Sequence, residues 1–278
     1  MKFALDTCIH GEYSNPVLIA ELASLAEKAG WDGFFIWDGI GGSEPTADPW
    51  VTLSLIASCT SKIRIGTAVT PIARRRPWKL ARETTSVDWI SQGRLTLGVG
   101  LGDPPSTEYQ QFGENSNIRT LADKLDEGLE VLTGLWTGKE FSYKGIHFDI
   151  DQATFLPIPV QSPRIPIWIG ANWPNKRPLR RAAKWDGVYP IYWNQDKNEM
   201  SPDILRKIVS YISEYRDVSK DFDVVAAGTH DILTKTKLIE LSESYKSVGA
   251  TWYAAPIGSH IGGIEDVKEW IELGPPRL

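Results

Sequence analysis

Histidines, carboxylates and amides in this chain gather just past the ends of its apolar runs. His10 and Glu12 follow FALDTC, Asp38 and Glu44 follow GFFIW, and the basic run Arg74-Arg75-Arg76 follows IRIGTAVTP. Asp103 and Glu108 come after RLTLGVGLG, and Asn172, Trp173, Lys176 and Arg177 come after PIWIGA. His230 and His260 close the same pattern near the C-terminus, so three of the four histidines stand at such ends. Imidazoles and carboxyls brought to one place can exchange protons near neutral pH. No run ends in lysine, which argues against a Schiff-base aldolase. No His-x-His and no ligand-spaced cluster is present, which argues against a metal hydrolase. Asp103 and Asp231 could form a glycosidase pair, but loop carboxylates or helix caps are the simpler reading.

Phosphate chemistry has one good candidate. The segment 172–177 is a loop entering a helix start, with Lys176 and Arg177 beside it. Backbone N–H groups at such a start attract phosphate. Gly228-Thr229 and Gly258-Ser259 compete for the role, since barrels often bind phosphate after strands seven and eight. The triple arginine reads as a solvated or interface cluster, and Arg94 beside Asp88 as a structural ion pair. His147 reads as structural or exposed.

Positioning these residues requires regular elements. The stretch 61–103 holds two alternating runs around a helical pattern from Pro77 to Gly93, a strand–helix–strand unit of a parallel sheet. Its second run carries Gly98, Gly100 and Gly102 at alternate positions. A strand face without side chains suits a flat ligand or a tight bend equally. Strand starts recur near positions 3, 33, 63, 94, 165, 187, 222 and 251, mostly about thirty residues apart. Asn15-Pro16, Asp48-Pro49 and Ser201-Pro202 mark helix starts between them. Eight alternations predict an α/β fold, a (β/α)8 TIM barrel, as one domain over 1–278 with an insertion at about 139–165 between strands four and five. No Gly-rich fingerprint follows strand one, which disfavours a doubly wound sheet. The long segments 103–117 and 139–165 suit a lid.

Composition narrows the partners. The net charge of −5 provides no electrostatic footprint for nucleic acid or an anionic membrane, and no apolar run is long enough to span a bilayer. Cys8 and Cys59 have no metal spacing, and reduced thiols in a cytoplasmic protein are expected. Twelve tryptophans suit both a large core and a pocket for a flat small-molecule ligand.

The run IRIGTAVTPIARRRPWKLARETTSVDWISQGRLTLGVGLGD resembles the core of the luciferase-like flavin-dependent monooxygenases and their deazaflavin-dependent relatives. DGFFIWD before a DPW helix start, FSYKGIHF, PIPVQSPRIPIWIGA and RRAAKWDGVYP extend the likeness, in order, over most of the chain. The resemblance implies an oxidoreductase with a flavin or deazaflavin ring in the barrel mouth. It implies a cis peptide near Ala68-Val69, and Gly98, Gly100 and Gly102 beside the ring. It implies further cofactor contacts from Asp38, Gly170 and Ala171, and phosphate contacts from Asn172, Lys176 and Arg177. Many relatives carry a histidine after Trp-Asp on strand two, whereas here Gly39 stands there. Proton donation then falls to His10, Glu108 or His230. The first expectation is a monooxygenase using reduced FMN, supplied by a separate flavin reductase, and oxygen. The alternative is hydride transfer with the deazaflavin coenzyme F420, and a third reading is a non-catalytic flavin-binding barrel. The resemblance also implies a homodimer, with Trp50, Trp78 and Trp89 as candidate interface anchors.

Overall fold

The structure is a computed structural model, and it describes residues 1–41, 43–102, 108–192, 200–228 and 235–276. Its strands are β1 Lys2–Thr7, β2 Gly33–Ile36, β3 Arg64–Thr67, β4 Thr70–Pro71, β5 Leu95–Gly100, β6 Phe141–Lys144, β7 Asp149–Ala153, β8 Ile167–Trp173, β9 Gly187–Tyr192, β10 Asp223–Ala227 and β11 Trp252–Ile257. Its α-helices are α1 Pro16–Ala29, α2 Pro49–Cys59, α3 Pro77–Ile90, α4 Ile118–Leu135, α5 Lys176–Ala182, α6 Pro202–Ser213, α7 Lys235–Lys246 and α8 Ile264–Glu272. Parallel pairing runs β3-β2-β1-β11-β10-β9-β8-β5, and β3 pairs with β5 to close the barrel. The expected (β/α)8 barrel is therefore observed.

Local chemistry explains the boundaries. The side chains of Asn15, Asp48 and Ser201 accept bonds from the first-turn N–H groups of α1, α2 and α6. Gly30 ends α1 at φ +92°, a left-handed conformation that a side chain disfavours. The third barrel strand departs from the single run expected over 63–71. It splits into β3 and β4 at a cis Ala68–Val69 peptide.

Alternation sorts the strand residues. Leu5, Phe34, Leu97, Ile169 and Val188 turn outward into the main core beneath the helices. Ala4, Phe35, Trp168, Tyr189, Val225, Trp252 and Ala254 turn inward and fill the barrel, so it is a packed core and not a pore. At its foot Phe35, Trp168 and Trp252 pack with ring centroids 5.0, 5.4 and 6.2 Å apart.

The insertion is a hairpin, β6–β7, followed by an extended segment. Glu127 on α4 accepts the N–H groups of Ile146, His147 and Phe148 in its turn. Further along, Arg82 and Trp89 on α3 donate to Leu156 O and Ile158 O. Asp88 accepts from Val160 and Gln161, and Gln161 reaches Leu95 O at the start of β5. This segment straps the outside of two helices toward the barrel's foot, which corrects the expectation that 139–165 forms a lid. Asp88 does not pair with Arg94 as expected, being taken by the strap. The Arg94 guanidinium instead donates to carbonyls of Ala57, Thr60, Ile63 and Ser91.

Candidate functional site

The C-terminal strand ends form the mouth, and its floor is built from small or apolar residues. Ala68, Val69, Gly170, Ile191 and Ala227 lie there half-buried. The three alternating glycines do not leave an open face. A Cβ on Gly98 would sit 2.0 Å from Thr67 O, and one on Gly100 would sit 2.6 Å from Val69 Cγ2. Gly102 adopts φ +77°, and a Cβ there would meet Pro71 at 2.9 Å. The missing side chains let the β3–β4 backbone cross β5 closely and seat Val69 in the floor. The floor at this point is therefore the Val69 side chain, and an ideal Cβ on Gly170 would lie 3.2 Å from it.

Above the floor stands Trp37, just past β2 and 37% exposed. Its indole Nε1 donates to Asp6 Oδ1 at 2.6 Å. Tyr189 reaches from β9 and donates its hydroxyl to Asp6 Oδ2 at 2.5 Å. The link spans the barrel, because β1 and β9 are separated by β11 and β10. Burial pushes the Asp6 carboxyl up to about 6, against the bonds from Tyr189 and Trp37 that pull it down. Burial likewise drives the Tyr189 phenol well above its ordinary value, and the neighbouring Asp6 adds to this. Neither Asp6 nor Tyr189 was among the expected site residues. A signal did exist: Asp6 is the one acidic residue within an otherwise apolar FALDTC run.

Charge at the rim is held in a network the sequence reading missed. The Arg74 side chain is buried and that of Arg75 half-buried, contrary to the expected solvated or interface cluster. Arg74 bonds Asp38 Oδ1 at 2.7 Å, Asp38 O at 2.6 Å and Glu108 Oε2 at 2.8 Å. Arg75 bonds both Asp38 oxygens at 2.8 Å, and Glu108 Oε1 accepts from Ile40 N at 3.1 Å. These bonds pin the loops after β2, β4 and β5 to one another. Asp38 therefore clamps these loops together. Glu108 is engaged on both oxygens, by the Arg74 guanidinium and by Ile40 N.

The remaining expected residues separate. His10 is exposed, with Nδ1 3.2 Å from Glu44 Oε2 and its ring 6.2 Å from Trp37. His230, Asp103 and Asp231 lie outside the described residues. Ala171 points outward into the main core, because it alternates with Gly170, and this corrects its placement in the site. Asn172 near the end of β8 and Lys176 just after it are exposed. The Lys176 ammonium rests 4.1 and 4.2 Å from the centroids of Trp173 and Tyr211. Arg177 is exposed and engaged by Asp123 at 2.6 Å and Asp126 at 2.8 Å. Trp50 is buried within the chain and cannot anchor an interface as expected, whereas Trp78 and Trp89 are exposed. No helix among the described residues is long and apolar enough to cross a membrane.

A planar heteroaromatic ring needs an apolar floor, an aromatic wall and a polar group at its edge, and the mouth supplies all three. Residues 7–233 match the sequence profile of the luciferase-like monooxygenases. The chain is 31% identical over 170 residues to an F420-dependent glucose-6-phosphate dehydrogenase of Microbacterium testaceum, covering 59% of this chain and 49% of that protein. It is 29% identical over 158 residues to the oxygenase component of a flavin-dependent trigonelline monooxygenase of Acinetobacter baylyi, covering 56% and 43%. The chain thus spans about half the length of the curated relatives it matches. In fold it is similar to a coenzyme F420 dependent tetrahydromethanopterin reductase from Methanopyrus kandleri, with TM-score 0.80, 18% identity and coverage of 99% and 98%. The matched span, taken with the closed barrel, places this chain in the luciferase-like monooxygenase family.

Proposed function

We propose that the chain is an oxidoreductase that seats a deazaflavin ring, coenzyme F420, in the barrel mouth for hydride transfer to or from a small organic substrate. The observation that carries this reading is the floor of Ala68, Val69, Gly170, Ile191 and Ala227 beneath the half-exposed Trp37 indole. A flat ring laid on that floor displaces water from apolar surface and has an aromatic wall at its edge. The ring, when bound, supplies the hydride acceptor or donor. The chain's own residues do the rest. Val69 and Gly170 set the height of the ring, Trp37 walls it, and the Arg74–Asp38–Glu108 network holds the surrounding loops still. Lys176 and Asn172, exposed at the C-terminal end of β8, suit the anionic end of the coenzyme. The F420-dependent relative supports the deazaflavin assignment.

The similarity to a flavin-dependent monooxygenase favours a second reading, in which reduced FMN from a separate reductase and oxygen act on the substrate in the same mouth. Titration of the purified protein with each cofactor, followed by absorbance and fluorescence, separates the two. Micromolar or tighter binding of F420 is expected, with no oxygen consumption in the presence of reduced FMN. Tight FMN binding with oxygen uptake would replace the first reading by the second, and binding of neither would remove both. A homodimer through the exposed Trp78 and Trp89 on α3, with Val51 and Leu55 on α2, belongs to the same proposal and is checked by sedimentation.

A further inference from the structure

Hydride chemistry on an alcohol or carbonyl needs a partner that takes or gives the proton. Of the residues first suggested for that task, Glu108 is bound to a guanidinium group, His10 is exposed beside Glu44, and His230 lies outside the described residues. Asp6 is differently placed. It follows Ala4 in the inward register of β1, near the mouth end of the barrel, and keeps 9% exposure. A carboxylate has about four acceptor positions. Tyr189 and Trp37 each occupy one, on different oxygens. Among the described residues, no lysine, arginine or histidine neutralises it. A buried carboxyl held only by neutral donors is an expensive way to bind two aromatic side chains. It is a suitable way to keep a proton-exchanging group in a dry site.

Resting on the reading above, we propose that Asp6 is the acid–base group of the barrel mouth, exchanging a proton directly with the oxygen of an alcohol or carbonyl substrate. In the oxidising direction, the substrate C–H bond breaks and its electron pair leaves as hydride to an oxidised deazaflavin or flavin. The O–H bond on the same carbon breaks, its electron pair becomes the second bond of the carbonyl, and the proton passes to Asp6 Oδ. The reducing direction reverses each step. Burial brings the carboxyl to about 6, close to the working range of a group that must both take and give a proton. Its titratable neighbours are Tyr189, which donates to it, and Cys8, two residues on, whose thiol is pushed up mainly by burial and partly by Asp6. The adjoining strands β2 and β11 turn Gly33, Phe35, Trp252, Ala254 and Pro256 inward, none of them titratable.

The experiment compares the wild type with Asp6→Asn and Tyr189→Phe. Carbon-13 NMR of aspartate carboxyls in the cofactor-free protein should show one resonance titrating near pH 6 that is absent in D6N. F420 affinity, by fluorescence, should stay within about threefold in D6N. Turnover of a panel of small primary and secondary alcohols should fall by about 100-fold and lose its pH dependence. Tyr189→Phe removes a bond that lowers the Asp6 value, so the NMR midpoint and the pH profile should both move up together, which mere structural damage would not produce. Wild-type turnover and pH profile in D6N, or no carboxyl titrating between about pH 5 and 7, would overturn the proposal. Failure of the wild type to oxidise any alcohol in the panel also counts against it. Failure of the wild type to bind either ring removes the function reading, and this proposal with it, before any variant is made.

Discussion

Asp223, at the foot of the barrel, and Asp6, near its mouth, each accept hydrogen bonds from two aromatic side chains. Asp223 Oδ2 takes the Trp168 Nε1 proton at 3.1 Å, and Oδ1 takes that of Trp252 at 2.9 Å. Asp6 takes the Trp37 indole and Tyr189 hydroxyl protons at 2.6 and 2.5 Å. The two differ in what surrounds these bonds. Asp223 also has Thr251 Oγ1 at 3.3 Å and the Arg64 guanidinium at 4.0 Å, and its side chain is 26% exposed. Its charge is shared with a cation and with solvent below the barrel. Asp6 has neither a cation nor comparable exposure, and its proton affinity rises. The same donor pattern thus sits in a partly exposed site beside a cation at one end and in a buried site without one at the other. The deciding term is access to charge and water, more than the hydrogen bonds themselves.

Three substitutions break or sharpen this contrast. The largest effect is expected at the foot. Asp223→Ala leaves two buried indole N–H groups without an acceptor and Arg64 without its neighbour. A loss of about 3–5 kcal/mol in urea unfolding is expected, with cofactor affinity of the folded fraction unchanged. If affinity falls while stability holds, the foot is not the structural end.

The second prediction concerns pH. The folded-state value of Asp6 is about 6 against an unfolded 3.8, so the folded protein binds more protons between these values. The stabilising contribution is present in full below about pH 4 and is lost as pH rises through 6. Relative to Asp6→Asn, the wild type should lose roughly 2 kcal/mol of unfolding free energy between pH 4 and 7. A constant difference between wild type and Asp6→Asn across that window would remove Asp6 as a carboxyl of raised proton affinity.

The smallest effect is expected from Trp37→Phe. The indole is half-exposed and its N–H bond to Asp6 is lost, so about 1 kcal/mol of stability is at stake. Cofactor affinity should weaken about fivefold, and the Asp6 midpoint should move up because a bond that lowered it is gone. Unchanged affinity would remove Trp37 from the wall of the ring site.

How far the chain was readable depends on the range of the interactions involved. Helix starts at Asn15, Asp48 and Ser201 depend on a side chain and an N–H two or three residues later, and the sequence reading placed all three. A cis peptide near Ala68–Val69 was expected from the family resemblance and is present, but the split of the third strand at that point was not expected. The rim network was not readable. Arg74 meets Glu108 34 residues away and Asp38 36 residues away, and only closure of the barrel brings these loops together. Read locally, three consecutive arginines are a solvated cluster.

Residue order by itself determined the barrel, because apolar alternation, capping residues and strand spacing act over a few residues and repeat eight times around the chain. It also determined that Gly98 and Gly100 carry no side chain, but not what takes up the space. The tertiary structure decided that Val69 does. It alone decided that Asp6 and Tyr189, 183 residues apart, share a hydrogen bond across the barrel. The physical reason is the same in both cases. Close approach of backbone and burial of charge are properties of the space between strands, and that space exists only once the sheet has closed.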